Sequence, residues 1–79
     1  MSSSIIDHVR QIAADVFGES VASISADTSP KNLAAWDSLQ HLNLMLALEE
    51  TFGVQISPDD AEQMNSILAV ANMIEQKTS

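Results

Sequence analysis

Between Ser38 and Phe52 the chain carries apolar residues on two separate arcs when wound at about 100° per residue. Leu44, Met45, Leu48 and Phe52 fall on one arc, and Leu39, Leu42 and Leu46 on the other, with Ser38 and Glu49 between them. A surface helix needs a single apolar stripe. Two stripes demand either neighbours on most sides or a partner for one of them. Periodicity alone favours burial among three other helices. Against that, Asn43 and Glu50 border the Leu39-Leu42-Leu46 stripe and Glu49 stands at its other edge. Polar groups are costly to bury unpaired, so an exposed leucine ridge edged by polar residues is the competing reading.

The rest of the chain supplies those neighbours. Ser4 can cap a first helix from about Ile5 to Phe17, whose Ile5, Ile6, Val9, Ile12, Ala13, Val16 and Phe17 share one side. Gly18 terminates it. Glu19 to Ala35 reads as a long loop with apolar anchors at Val21, Ile24 and Leu33, and Pro30 blocks a helix there. The second helix starts after Asp37 and stops at Gly53. Ser57-Pro58-Asp59-Asp60 opens a short third helix ending near Met64: a Ser cap, Pro at the first helical position, acids in the first turn. Asn65 or Ser66 caps a last helix to about Gln76, with Ile67, Val70, Ala71 and Ile74 on one face. The expected fold is all-α: one domain over residues 1–79, a small four-helix bundle with a long first loop and a short third helix.

Seventy-nine residues bury only about 60–65% of their unfolded surface, so stability is modest. No cysteine is present, which fits a reducing cytoplasm and removes disulfide and thiolate–zinc frameworks. No apolar run nears the roughly 20 residues a membrane span needs, and the Met1–Asp7 opening has no signal-peptide pattern. Eleven acids against Arg10, Lys31 and Lys77 leave a net charge of −8. That balance argues against nucleic-acid backbone binding and favours partners with basic docking surfaces. Arg10 and Lys31 read as ordinary surface charges.

Ser38 follows a good N-cap, so its hydroxyl stands at the amino end of the second helix, where N–H groups and the helix dipole favour an anion such as phosphate. Nothing around it is equipped for attack. His41 lies one turn away, but no Gly-x-Ser-x-Gly elbow or oxyanion hole is evident, and an exposed histidine on a docking helix is the preferred account. Asp59, Asp60 and Glu62 lack the alternating oxygens and central glycine of a calcium loop and read as a charged first turn, so no metal site is assigned. Trp36 reads as a local packing anchor.

At Asp37-Ser38-Leu39, followed by Leu42, Leu44, Ala47-Leu48-Glu49-Glu50 and Phe52-Gly53, the chain resembles the acyl carrier protein family over most of its length. The resemblance implies a phosphopantetheine arm, taken from coenzyme A and joined covalently to Ser38. It implies that Asp37 helps present Ser38 to the phosphopantetheinyl transferase. It also implies a docking ridge of Leu39, Leu42, Asn43 and Leu46, with Glu49 and Glu50 meeting basic residues on acyl-loading and acyl-processing enzymes. Leu44, Leu48 and Phe52 then belong to the core. The protein so read is a monomeric, cytoplasmic, non-catalytic carrier of thioesters, and its start at Met1 without linker-like flanks suggests a discrete carrier.

Where fatty-acid-synthesis carriers commonly show Gly-x-Asp-Ser-Leu and acids along the second helix, this chain has Ala34-Ala35-Trp36-Asp37 and then Gln40, His41 and Asn43. That departure resembles carriers of polyketide, peptide or other specialised pathways. General fatty-acid synthesis and an aminoacyl or peptidyl carrier are the alternatives. An acidic helical adaptor without a prosthetic group explains the ridge and the charge, but not the Asp-Ser-Leu helix start.

Overall fold

The computed structural model describes the backbone of residues 2–78 and the side chains of residues 5–78. Among them four α-helices form, α1 (Ser2–Phe17), α2 (Ser38–Phe52), α3 (Pro58–Gln63) and α4 (Ile67–Thr78), with a 3-10 turn at Val21–Ser23. Each helix end has an identifiable local cause. The Asp37 carboxylate accepts from the Gln40 amide and starts α2, and Gly53, at φ 65°, ends it. Gly18 closes α1 at φ 69°, with the Glu19 amide donating back to the Ala14 carbonyl at 3.0 Å. Ser57 and Asp60 cap each other's amides around Pro58 at the start of α3.

Helix α4 starts differently. Ser66 Oγ accepts from the Ala69 amide at 3.1 Å, as a cap should. The Ile67 and Leu68 amides are instead satisfied by loop carbonyls, Thr28 O at 2.9 Å and Ala26 O at 3.1 Å. The long loop is therefore a structural part of the last helix. Its Thr28 is buried, and Thr28 Oγ1 accepts from the Ser25 amide at 2.8 Å.

Helix α1 packs against both α2 and α4. Val9, Ala13, Ala14 and Phe17 of α1, Leu44, Met45 and Leu48 of α2, and Ile67, Val70, Ala71 and Ile74 of α4 form one contiguous core, completed by Ile24, Trp36 and Met64. Phe52, Val54, Ile5, Ile12 and Val16 are half-buried against it. Phe52 also meets the exposed His8 ring edge-on, with centroids 5.4 Å apart.

Several expectations need correction. Helix α1 begins at Ser2, so Ser4 lies within it and is not its cap; the Ser4 side chain is outside the described set. Helix α4 continues to Thr78, whose hydroxyl donates to the Ile74 carbonyl and closes the last turn. Of the three loop anchors, Ile24 is fully buried and Leu33 half-buried, but Val21 is exposed, because the 3-10 turn spends Val21 on its carbonyl. That carbonyl accepts from Arg10 Nη2 at 3.1 Å, while Arg10 Nε reaches Ile24 O at 2.6 Å. Arg10 is thus a clamp between α1 and the loop, not an ordinary surface charge. Burial of both leucine stripes is also overturned. Leu44 and Leu48 are at 0% exposure, whereas Leu39, Leu42 and Leu46 are at 67%, 56% and 55%.

Candidate functional site

The Asp37 cap fixes the start of α2 so that Ser38 is its first helical residue, and Ser38 is exposed. Beside it opens a groove of about 530 Å³, bounded by Trp36, Ser38 and His41 on one side and by Pro30, Ala61, Glu62 and Met64 around the rest. The Asp37 carboxylate turns back to the Gln40 amide at 2.9 Å, which keeps one acidic oxygen engaged at the helix start. The cap satisfies one first-turn amide and offsets part of the positive end of the helix dipole beside the Ser38 hydroxyl.

The sequence did not foretell His41. Its ring lies edge to edge with Trp36, nearly coplanar at 24° with centroids 5.9 Å apart, and its Nδ1 accepts from Trp36 Nε1 at 2.9 Å. Indole N–H is a donor only, so Nδ1 must be bare and Nε2 must carry the proton. That proton points to Ala61 O, 2.8 Å away on α3. His41 is half-buried with both nitrogens engaged, not a free histidine on the docking face. Neither nitrogen is open to take a proton from Ser38. A hint was present in the sequence: a buried tryptophan needs an acceptor for its N–H, and Trp36 lies five residues before an imidazole. Trp36 itself is 2% exposed and lies 5.3 Å from Phe17, the anchoring role expected of it.

The exposed ridge of Leu39, Leu42 and Leu46 runs along α2 away from Ser38. Asn43 Nδ2 donates to Gln40 Oε1 at 2.9 Å, which makes a neutral amide pair on the exposed surface near its beginning. The two glutamates at its far end differ. Glu50 is exposed, but Glu49 is half-buried and its Oε2 accepts from the Ile56 amide at 2.8 Å. In the acidic start of α3, Asp60 pairs with Lys77 Nζ at 2.8 Å. The hydrogen bond from Lys77, then that from the Ser57 amide, holds the Asp60 carboxyl below its usual range.

Residues 7–74 match the family described as a phosphopantetheine attachment site. The chain is also 34% identical over 74 residues to an acyl carrier protein of Solidesulfovibrio magneticus, covering 94% of this chain and 95% of that one. This chain belongs to the acyl carrier protein family. An acyl carrier protein of Chlamydia trachomatis is 35% identical over 94% of this chain and 96% of its own. The fold matches the solution structure of the holo acyl carrier protein from Geobacter metallireducens with a TM-score of 0.81, at 25% identity, covering 91% of this chain and 83% of that one. As an acyl carrier protein, the chain is a non-catalytic carrier whose prosthetic group is covalently attached phosphopantetheine. Among the described residues, no helix is long and apolar enough to cross a membrane.

Proposed function

We propose that Ser38 is the residue that bears the phosphopantetheine arm, and that this acyl carrier protein serves a specialised, polyketide-, peptide- or lipid-type pathway in the cytoplasm. The observation that carries the attachment reading is the exposed hydroxyl at the first position of α2, beside an open groove. A phosphodiester there gains from the helix N-terminus, and the groove leaves room for its chain. The arm supplies a thiol on which acyl groups ride as thioesters, and a chain with no cysteine cannot supply one. Asp37 holds the first turn in place, which presents Ser38 to the transferase. Partner enzymes then meet Leu39, Leu42, Asn43 and Leu46, with Glu50, and the free oxygen of Glu49, facing basic residues.

The specialised-pathway reading is supported by the neutral Gln40–Asn43 pair and by the inward turn of Glu49. Beyond Asp37 the first turns of the ridge therefore carry no charge, and at its far end one of the two glutamates is partly withdrawn. Enzymes of general fatty-acid synthesis that dock on an acidic α2 would find few ion pairs there.

Two measurements test these readings. Incubated with coenzyme A and a promiscuous phosphopantetheinyl transferase, the protein should gain the mass of one arm, and Ser38→Ala should gain none. The holo form should then be a poor substrate for fatty-acid-synthase transacylases and condensing enzymes, and Gln40→Glu with Asn43→Asp should improve it. Efficient turnover of the unaltered protein by those enzymes would favour the fatty-acid alternative. Loading by an adenylating enzyme with an amino acid would favour the aminoacyl or peptidyl one.

A further inference from the structure

Helix α3 has six residues and no fully buried side chain. A helix this short has little stability of its own, so its position is set by its attachments. Three of these stand out. Asp60 pairs with Lys77 and ties the first turn to α4. Met64, just beyond the last turn, is fully buried in the core. The third is the His41 bridge, in which Nε2–H donates to Ala61 O, a last-turn carbonyl that also accepts from the Met64 amide at 3.2 Å.

That bridge crosses between the two walls of the groove beside Ser38, from Trp36 and His41 to Ala61. It is also rigidly referenced to the core. Phe17 packs on Trp36, and the Trp36 N–H holds His41 by an in-plane hydrogen bond that fixes its tautomer, so that the donor faces α3.

We propose that His41 is a positioning residue that pins α3 against the first turn of α2, sets the width of the groove beside Ser38, and so determines how far a group carried on Ser38 is sheltered from solvent. The inference rests on Ser38 as the attachment point and adds a specificity element to it. With the bridge intact the groove keeps its present width. Without it, α3 keeps its ion pair, the Met64 anchor and the half-buried Ala61 side chain, but loses its hydrogen bond to α2, and the groove wall moves more readily. The carried thioester then spends more time exposed to small nucleophiles.

The experiment compares wild type, His41→Leu, His41→Gln and Trp36→Phe, each loaded from decanoyl-coenzyme A by a promiscuous transferase. At equal loading, the rate of thioester cleavage by hydroxylamine is read alongside amide hydrogen exchange of residues 61–63 in the unloaded proteins. Leucine fills space but cannot bridge, so cleavage should rise roughly three- to tenfold, the factor set by one lost hydrogen bond, and exchange in α3 should accelerate. Glutamine can accept from the indole and donate to Ala61 O, and it should restore both readings most of the way. Trp36→Phe keeps the ring but frees the tautomer, and it should give an intermediate result and covers the case in which the leucine variant does not fold. Nitrogen-15 spectra of wild type should show His41 with a bare Nδ1 and a protonated Nε2. Equal cleavage rates and equal exchange across folded variants would overturn the proposal, as would a glutamine variant indistinguishable from leucine. If wild type takes no arm, the Ser38 reading fails and the sheltering role fails with it. Unchanged α3 exchange in folded, unloaded variants that do accept the arm on loading defeats the His41 role alone.

Discussion

Arg10 Nε donates to the carbonyl oxygen of Ile24 across 2.6 Å, so a cation on the outer face of α1 holds the innermost residue of the long loop. The same guanidinium reaches Val21 O and the Asp7 carboxylate. Arg10→Leu should lower the unfolding free energy by about 2–3 kcal/mol, because a buried carbonyl loses a charged donor. Arg10→Lys should recover only part of this, since an ammonium cannot reproduce the planar fork. Urea melts followed by Trp36 fluorescence measure both.

Adjacent glutamates should separate cleanly. Glu49→Ala leaves the Ile56 amide without its acceptor and should cost about 1–2 kcal/mol of stability. Glu50→Ala should stay within about 0.5 kcal/mol. In partner binding, Glu50→Gln should slow association at low salt, and that difference should fade as salt is raised.

The two faces of α2 predict opposite phenotypes. Leu44 is fully buried, and Leu44→Ala should destabilise by about 2–5 kcal/mol. Leu42, at 56% exposure, should leave the melting point nearly unchanged when replaced by alanine, yet weaken docking of a cognate enzyme by about 1–2 kcal/mol. Thermal melts and enzyme titrations of the two variants should give mirror-image results.

The lowered Asp60 carboxyl makes a statement about acid. The unfolded chain takes up this proton at about pH 3.9, before the folded one does. Asp60 therefore contributes stability above that value and loses it as pH falls through the lower folded pKa. Between about pH 5 and pH 2.5 the urea midpoint of wild type should fall more steeply than that of Lys77→Met or Asp60→Asn. Relief of self-repulsion on acidification acts in the opposite direction, but the two variants differ from wild type by one charge in opposite senses, so it cannot make wild type steeper than both.

A net charge of −8 on so small a chain is self-repelling. Sodium chloride should raise the melting point by screening, and millimolar magnesium should do so without a saturable, stoichiometric site. An unfolding midpoint indifferent to both would contradict this.

Much of the fold was legible because its signals are local. Asp37, Gly53, Ser57 and Pro58 mark helix ends by chemistry within a few residues, and α2 begins and ends where they place it. The place of Ser38 at the head of α2 was legible for the same reason. The exposure of Leu39, Leu42 and Leu46 was not legible in periodicity, which favoured burial because both arcs of α2 are equally apolar; their polar neighbours and the family resemblance pointed to it. The tie from His41 to Ala61 and that from Arg10 to Ile24 were hidden more deeply. Their acceptors are backbone carbonyls distant in sequence, which every residue possesses and which no side-chain pattern announces.

The seating of α4 on Ala26 O and Thr28 O gives the long first loop a strict length despite its lack of regular structure. One residue inserted between those carbonyls would not be taken up as slack. It would swing an oxygen off its amide and unseat a helix half the chain away.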